Sequence, residues 1–215
     1  MSNQKERLII GFSWEKFLKL YLPWYAPIPL LPIPPNGNLS FVDNGEAVCD
    51  AQGFQFNPLV RNDGNGNVFA VWGDMRTGSI GLYVQHLSPS SGISLQEEGI
   101  ELYFGIDGNG LSAQSLYLGN NETLIYWEDR RLGVIADLTY GQKVYDGWQD
   151  AVEPNGIKLC NNPYQVTPKA ELGNLSGDIL LGFGQAFGDI ALHYQPLNNN
   201  LEMIGNTNEG IPVFE

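Results

Sequence analysis

The chain has 215 residues with a formal net charge of −13, only 16% charged residues, 12% aromatic residues and 26 glycines. So acidic a chain disfavours DNA and RNA as partners, because binding to phosphates requires a basic surface. Few charges and many glycines also argue against a helical protein and favour short strands joined by tight turns.

The N-terminal region contains one apolar run and one proline-rich segment. RLIIGFSW, residues 7–14, is a faint copy of a pattern that recurs later, with Phe12 where the other copies have their motif aromatic residue. No uninterrupted signal-peptide core or small-residue cleavage site follows it. In YLPWYAPIPLLPIPP, residues 21–35, the prolines exclude a membrane-spanning helix and favour an extended polyproline conformation.

The proline-rich segment has no counterpart elsewhere in the chain. Its apolar side chains are too numerous for a free loop, so it either packs on its own domain or docks onto a partner chain. Loops on a rigid scaffold often carry function. The predicted binding residues are therefore Trp24, Tyr25, Leu30 and Leu31.

A Trp-x-Asp-x-Arg-x-Gly motif occurs twice, in VWGDMRTG and YWEDRRLG. Each copy lies between two apolar, strand-like runs. A third, eroded copy has Phe183 in the tryptophan position, at nearly the same interval after the second copy as the second lies after the first. The matching residues are Trp72, Asp74, Arg76 and Gly78 in the first copy, and Trp127, Asp129, Arg131 and Gly133 in the second.

A second marker repeats with nearly the same period. NGEAVCD, EEGIELY, PNGIKLC and NEGIPVF are alike, and their glycines, at positions 45, 99, 156 and 210, are almost evenly spaced. Two independent markers with one period indicate a tandem repeat.

Each repeat contains about four strand-like runs, best seen in NPLVRN, NVFAVW, GLYVQHL and GIELY. Four antiparallel strands per 54–57-residue repeat predict an all-β fold, a β-propeller of about four blades with an incomplete or irregular first blade. A β-sandwich would not normally carry such a repeat. The chain forms one propeller domain or segment, 1–215, with blade pieces of roughly 1–53, 54–110, 111–163 and 164–215 and the insertion 21–35.

Four blades is the lower limit of ordinary propellers, so closure of the ring is an open question. Either the chain closes a small ring with an irregular first blade, or a second copy or another polypeptide completes a larger one. An open end would leave an unpaired strand edge, which favours completion by partner chains.

The Trp-x-Asp-x-Arg-x-Gly motif has two interpretations. Asp129 and Arg131 could bind a sugar or a carboxylate, with Trp127 as a stacking platform. Alternatively Trp127 fills the space between neighbouring blades, Asp129 accepts turn N–H groups, and Arg131 pairs with it or with a carbonyl. Because a catalytic group rarely recurs at equivalent places, the structural interpretation is favoured.

Other patterns give no metal or cofactor site. NDGNGN, residues 62–67, begins like a calcium loop, but Val68 stands where a glycine is required, and a hairpin turn is favoured. His86 and His193 have no partner at zinc-binding spacing. Glu97 and Glu98 are interpreted as a solvated turn and not as a catalytic pair.

The two cysteines, Cys49 and Cys160, hold matching places two repeats apart. In a ring, such positions lie beyond the roughly 7 Å limit on Cα separation for a disulfide. Both are therefore expected to be free, buried thiols.

The segment NPLVRNDGNGNVFAVWGDMRTGSIGLYVQHL, residues 57–87, with the NGEAVC and NGIKLC markers, resembles the sialidase-like propeller repeats of large exported bacterial surface proteins, including type IX secretion cargo. The resemblance covers residues 45–160 and fades where the third repeat has lost Trp, Asp and Arg. It implies an extracellular or cell-surface context and no reaction.

These patterns together predict a non-enzymatic binding or structural module that contacts protein or glycan. One alternative is a sialidase-like glycoside hydrolase acting at the ring centre, although Asp-box motifs are missing and no arginine cluster can be assigned from spacing. The other alternative is an assembly unit that completes a larger ring with partner chains. A homo-oligomer is among the expected partners.

Overall fold

The computed structural model describes a chain built from β-strands, which confirms the all-β expectation. No helix long and apolar enough to cross a membrane occurs in the ranges that it describes. Those ranges are residues 8–10, 46–88, 92–93, 98–105, 113–129, 131, 138–145, 155–162, 165–172, 178–185, 191–205 and 210–213.

The strands form four antiparallel sheets that follow one another along the chain. Sheet 1 contains β1 (Leu8–Ile10) and β2 (Glu46–Cys49). Sheet 2 contains β3 (Gln55–Asn62), β4 (Val68–Asp74), β5 (Gly81–Ser88), β6 (Gly92–Ile93) and β7 (Ile100–Phe104). Sheet 3 contains β8 (Ala113–Gly119), β9 (Glu122–Asp129), β10 (Leu138–Tyr145) and β11 (Ile157–Lys158). Sheet 4 contains β12 (Gln165–Leu172), β13 (Ile179–Gln185), β14 (Leu192–Leu197) and β15 (Ile211–Pro212).

In sheets 3 and 4 each strand pairs with the next, as in a sequential meander, and sheet 2 follows the same order from β3 to β6. In sheet 2, β6 and β7 pair with successive parts of β5, so both occupy the fourth position. The first strands of these three sheets are neighbours, because β8 contacts β3 and also β12. Lys169 Nζ on β12 donates a 2.8 Å hydrogen bond to Gln114 Oε1 on β8.

Strand β1 occupies a different position from the one that the sequence predicts. Leu8 pairs with Cys49 and Ile9 with Ala47, with a register shift between them. Strand β5 repeats this pattern, because Leu82 pairs with Tyr103 and Tyr83 with Glu101, again with a shift. β1 is therefore equivalent to a third strand, and the alignment that put residue 12, which lies outside the described residues, in the motif aromatic position is wrong.

Consecutive sheets pack face to face through alternate residues of their strands. Trp72 of β4 faces sheet 1, where it packs with Val48, while Val71 faces sheet 3, where it packs with Trp127. On β9, Tyr126 faces the opposite way from Trp127 and packs with sheet 4. Both faces of sheets 2 and 3 are therefore buried, which explains the nearly continuous apolar runs of β4 and β9.

Candidate functional site

The first Trp-x-Asp-x-Arg-x-Gly motif lies at the end of β4 and in the turn that follows. Asp74 Oδ1 accepts the backbone N–H of Arg76 (2.8 Å). Its Oδ2 accepts the indole N–H of Trp72 (3.0 Å) and an N–H of the Arg76 guanidinium (2.6 Å). Burial alone would raise the pKa of Asp74, but the hydrogen bonds from Arg76 and Trp72 outweigh it and lower that pKa. Asp74 therefore stays ionised, with both oxygens engaged.

The second motif, after β9, has the same geometry. Asp129 Oδ1 accepts the backbone N–H of Arg131 (2.7 Å), and Oδ2 accepts the Trp127 indole N–H (3.4 Å). Arg131 also donates to Oδ2 through Nε (2.7 Å) and through Nη2. Residue 133 lies outside the described residues, while Gly78 closes the first turn at a φ of +89°. We call each Trp–Asp–Arg set an Asp–Arg clamp.

Each Asp–Arg clamp is joined to the second sequence marker. Arg76 Nη2 donates to the carbonyl oxygen of Glu98 (3.0 Å), and Arg131 Nη2 donates to that of Asn155 (2.7 Å). Both acceptors immediately precede the marker glycine. The clamp therefore ties the hairpin after the second strand of a sheet to the start of its fourth strand.

Tyrosines on the third strands cover the two arginines. The guanidinium carbon of Arg76 lies 3.9 Å from the ring centre of Tyr83, and that of Arg131 lies 3.7 Å from the ring centre of Tyr140. These two tyrosines are equivalent, because each pairs with the tryptophan of its own sheet. Such cation–π contacts are attractive, and the attraction is stronger where the guanidinium is partly buried.

The marker glycines lie against the motif aromatic residues. Gly99 and Gly156 have φ values of +82° and +75°. A Cβ on Gly99 would lie 2.5 Å from Trp72 Cη2, and one on Gly156 would lie 2.6 Å from Trp127 Cη2. The glycine therefore recurs with the indole, because no side chain fits between the two.

The residue before each marker glycine also joins neighbouring sheets. Glu98 Oε2 accepts the backbone N–H groups of Asp50 and Ala51, each at 2.8 Å. Asn155 Oδ1 accepts the backbone N–H of Phe104 (3.1 Å). Glu98 does lie in a turn, and it is half-buried, but its carboxylate has a role beyond the predicted solvated turn, since it binds the end of sheet 1. Residue 97 lies outside the described residues.

Tyr103 and Cys49, each one residue before such a backbone N–H donor, contact the clamp of the next sheet. The Tyr103 hydroxyl donates to Asp129 Oδ1 (3.3 Å), and Cys49 Sγ accepts an N–H of the Arg76 guanidinium (3.2 Å). The Cys49 thiol donates to Glu98 Oε2 (3.0 Å). Burial raises the pKa of Cys49 to about 12, and also that of Tyr103 to about 12. Both groups are therefore neutral donors at neutral pH. Cys49 and Cys160 are free and buried, as predicted.

Replacing Glu98 by glutamine is expected to flatten the dependence of stability on pH between about 4.5 and about 2. Burial alone would raise the pKa of Glu98, but hydrogen bonds from Cys49, Asp50 and Ala51 outweigh it and lower that pKa from 4.5 to about 2. A depressed folded-state pKa adds stability that is full above the unfolded value and is lost as pH falls through the folded value. Urea unfolding at stepped pH checks this, and an unchanged slope in the variant contradicts it.

The NDGNGN segment forms the hairpin turn between β3 and β4. Asp63 Oδ1 accepts the backbone N–H groups of Asn65 (2.8 Å) and Asn67 (3.1 Å). Asp63 Oδ2 accepts the side-chain N–H of Asn67 (2.9 Å) and lies 3.0 Å from His86 Nε2. This carboxylate is buried and holds the turn. In the part of the chain that the structure describes, no group of three or more His, Cys, Asp or Glu residues is placed to hold a metal ion.

The predicted binding residues 24, 25, 30 and 31 lie outside the described residues. Sequence reasoning missed the inter-sheet role of Glu98 and Asn155, although a signal was present. The residue before the marker glycine is Asn or Glu in all four copies, Asn44, Glu98, Asn155 and Glu209. A polar residue at every copy of one position indicates a recurring hydrogen bond.

Comparison of the chain with models of known protein families finds no match. A search of curated proteins finds no match either.

Proposed function

We propose that the chain is a non-enzymatic binding or structural module, a β-propeller segment of about four blades in an exported or cell-surface bacterial protein. The sequential four-stranded meanders support the propeller arrangement. So does the adjacency of β3, β8 and β12, because the first strands of propeller blades gather around the central axis. The exported context rests on the resemblance of residues 45–160 to propeller repeats of bacterial surface proteins.

One observation carries the non-enzymatic assignment. The side chains that most resemble a ligand site are buried and make hydrogen bonds within the protein. Trp72 and Trp127 are both 0% exposed, so neither indole offers a platform on which a sugar could stack. Both oxygens of Asp74 and of Asp129 accept hydrogen bonds from the tryptophan and the arginine of the same motif. Asp74 and Asp129 are also buried, and a buried carboxylate stabilised by these hydrogen bonds is a poor nucleophile and a poor base.

The module would contact its partner, a protein or a glycan, through surfaces away from the clamps. The proline-rich residues 21–35 remain the proposed contact segment. The assembly alternative also has an observation in its favour, since sheet 4 exposes large apolar side chains, including Leu180 and Leu192. Exposed apolar patches of this kind mark interaction surfaces.

The test of the non-enzymatic assignment is a turnover assay with fluorogenic glycosides. The chain is incubated with a 4-methylumbelliferyl sialoside and with the corresponding β-glucoside, β-galactoside and N-acetyl-β-glucosaminide. No release of the fluorophore above buffer is expected, and Asp74→Asn and Asp129→Asn should give the same result. Release that disappears in a folded Asp129→Asn variant but persists in Glu122→Gln contradicts the proposal and favours the glycoside hydrolase.

A further inference from the structure

Sheet 4 presents an apolar face on the side away from sheet 3. On β13, Leu181 and Phe183 pack against sheet 3, so the alternate residue Leu180 points the other way. His193 of β14 stacks on Phe183, which turns Leu192 to the same outer side as Leu180. Val213 lies beside Leu192, because its N–H donates to the Leu192 carbonyl oxygen (2.8 Å). We call Leu180, Leu192 and Val213 the open face.

The equivalent positions in sheets 2 and 3 are fully covered. Three residues before the motif aromatic, Phe69 and Leu124 are 1% and 0% exposed, whereas Leu180 is 40% exposed. Three residues after the marker glycine, Leu102 and Leu159 are 1% and 0% exposed, whereas Val213 is 42% exposed. In the sheets where these positions are buried, the cover is the next sheet of the stack.

Consecutive sheets contact each other through the same pair of sides at each junction. The side that carries Phe69 contacts the side of the next sheet that carries Trp127. The side that carries Leu124 likewise contacts the side of the next sheet that carries Phe183. The open face is thus one half of the same interface, and its complement is the motif-aromatic side of another sheet.

Sheet 1, whose strands β1 and β2 correspond to the third and fourth strands of the other sheets, has a side that corresponds to this complement. Val48, three residues after the marker glycine at 45, packs against sheet 2, so sheet 1 already uses the side that corresponds to the open face. The opposite side of sheet 1 corresponds to the side through which each of sheets 2, 3 and 4 contacts the sheet before it. Sheet 1 of the same chain leaves the open face uncovered, since Leu192 is 51% exposed.

We propose that the open face binds a second copy of this chain, which places sheet 1 on it as the next sheet of the stack. The two copies then associate head to tail, through an interface of the same kind as those within the chain. This inference deepens the proposed function and rests on it. Because each copy carries a net charge of −13, the attraction is apolar and strengthens when salt screens the repulsion.

The first experiment measures solution mass by light scattering coupled to size exclusion, in high salt and over a range of protein concentration. The wild-type chain should give at least twice 23.8 kDa. A Leu180→Lys, Leu192→Lys variant should dissociate about a hundredfold more readily, since each lysine buries an unpaired charge while reducing the overall repulsion. Tyr145→Lys, at an equally exposed site at the end of β10, is the control and should keep the wild-type mass.

A monomeric wild-type chain, or a Leu180→Lys, Leu192→Lys variant that keeps the wild-type mass, overturns the inference. Neither result bears on the non-enzymatic assignment, which the turnover assay decides. Circular dichroism of the variant establishes that it is folded, as expected for substitutions at half-exposed positions.

The second experiment tests the head-to-tail direction by mixing. The Leu180→Lys, Leu192→Lys variant has lost its open face but keeps sheet 1, so an affinity-tagged wild-type chain should retain the untagged variant on a resin. A tagged copy of the variant should not retain it. If the tagged wild-type chain fails to retain the variant although it retains wild type, the copies pair open face to open face, and the proposed order is wrong.

Discussion

Replacing Asp129 by alanine is expected to lower the free energy of unfolding by about 3–4 kcal/mol, close to the loss typical of breaking a buried ion pair. The Asp129 side chain is fully buried and that of Arg131 is 25% exposed, so the guanidinium would keep only part of its hydration. The Trp127 indole N–H would also lose its acceptor in a buried setting. Equilibrium unfolding in guanidinium chloride measures the loss.

The matched control for Asp129→Ala is Glu122→Ala. Glu122 forms an ion pair with Lys143 at 3.0 Å in the same sheet, but their side chains are 41% and 23% exposed. Removing such a partly exposed pair should cost less than about 1 kcal/mol. If Asp129→Ala is no more destabilising than Glu122→Ala, the Asp–Arg clamp does not hold the hairpin.

Replacing Gly156 by alanine is expected to lower the free energy of unfolding by about 3 kcal/mol. The new Cβ would lie 2.6 Å from the Trp127 ring, and the φ of +75° is itself unfavourable for alanine. Overpacking of a core costs about 1–3 kcal/mol, and a left-handed conformation adds about 1–2 kcal/mol. Chemical denaturation gives the sum of the two effects.

Gly119→Ala separates the two contributions. Gly119 has a φ of +85°, and its Cβ would meet no atom within 4 Å, so only the backbone cost of about 1–2 kcal/mol is expected. The difference between the two variants measures the contact with Trp127. Equal losses of unfolding free energy at the two glycines would show that the Trp127 indole moves aside at no measurable cost. Gly156 would then be needed for its backbone conformation alone.

The repeat was predictable because the same contacts recur in each sheet. Trp127 lies on β9 and Gly156 immediately precedes β11 of the same sheet, yet each constrains the other through one close contact. Both therefore leave a periodic trace in the sequence. A hydrogen bond from Arg131 to a carbonyl was among the expectations, but the sequence did not indicate that the acceptor is the Asn155 carbonyl. Every residue has a backbone carbonyl, so a hydrogen bond to one does not require a particular side chain at that position.

The position of β1 was mispredicted for a related reason. The run Leu8–Ile10 is apolar throughout and fits a buried second strand as well as a buried third strand. Its register is fixed by pairing with β2, which lies much later in the chain, and by the shift shared with β5 and β7. Local pattern carries no information on such a long-range pairing.

The coupling free energy between Asp129 and Arg131 tests the structural account of the motif most directly. A double-mutant cycle of Asp129→Ala, Arg131→Ala and the double variant isolates it from other effects. We predict a coupling of about 2 kcal/mol, within the range found for residues of one hydrogen-bonded network. Losses that add within about 0.5 kcal/mol would contradict the account, because the motif would then not act as a clamp.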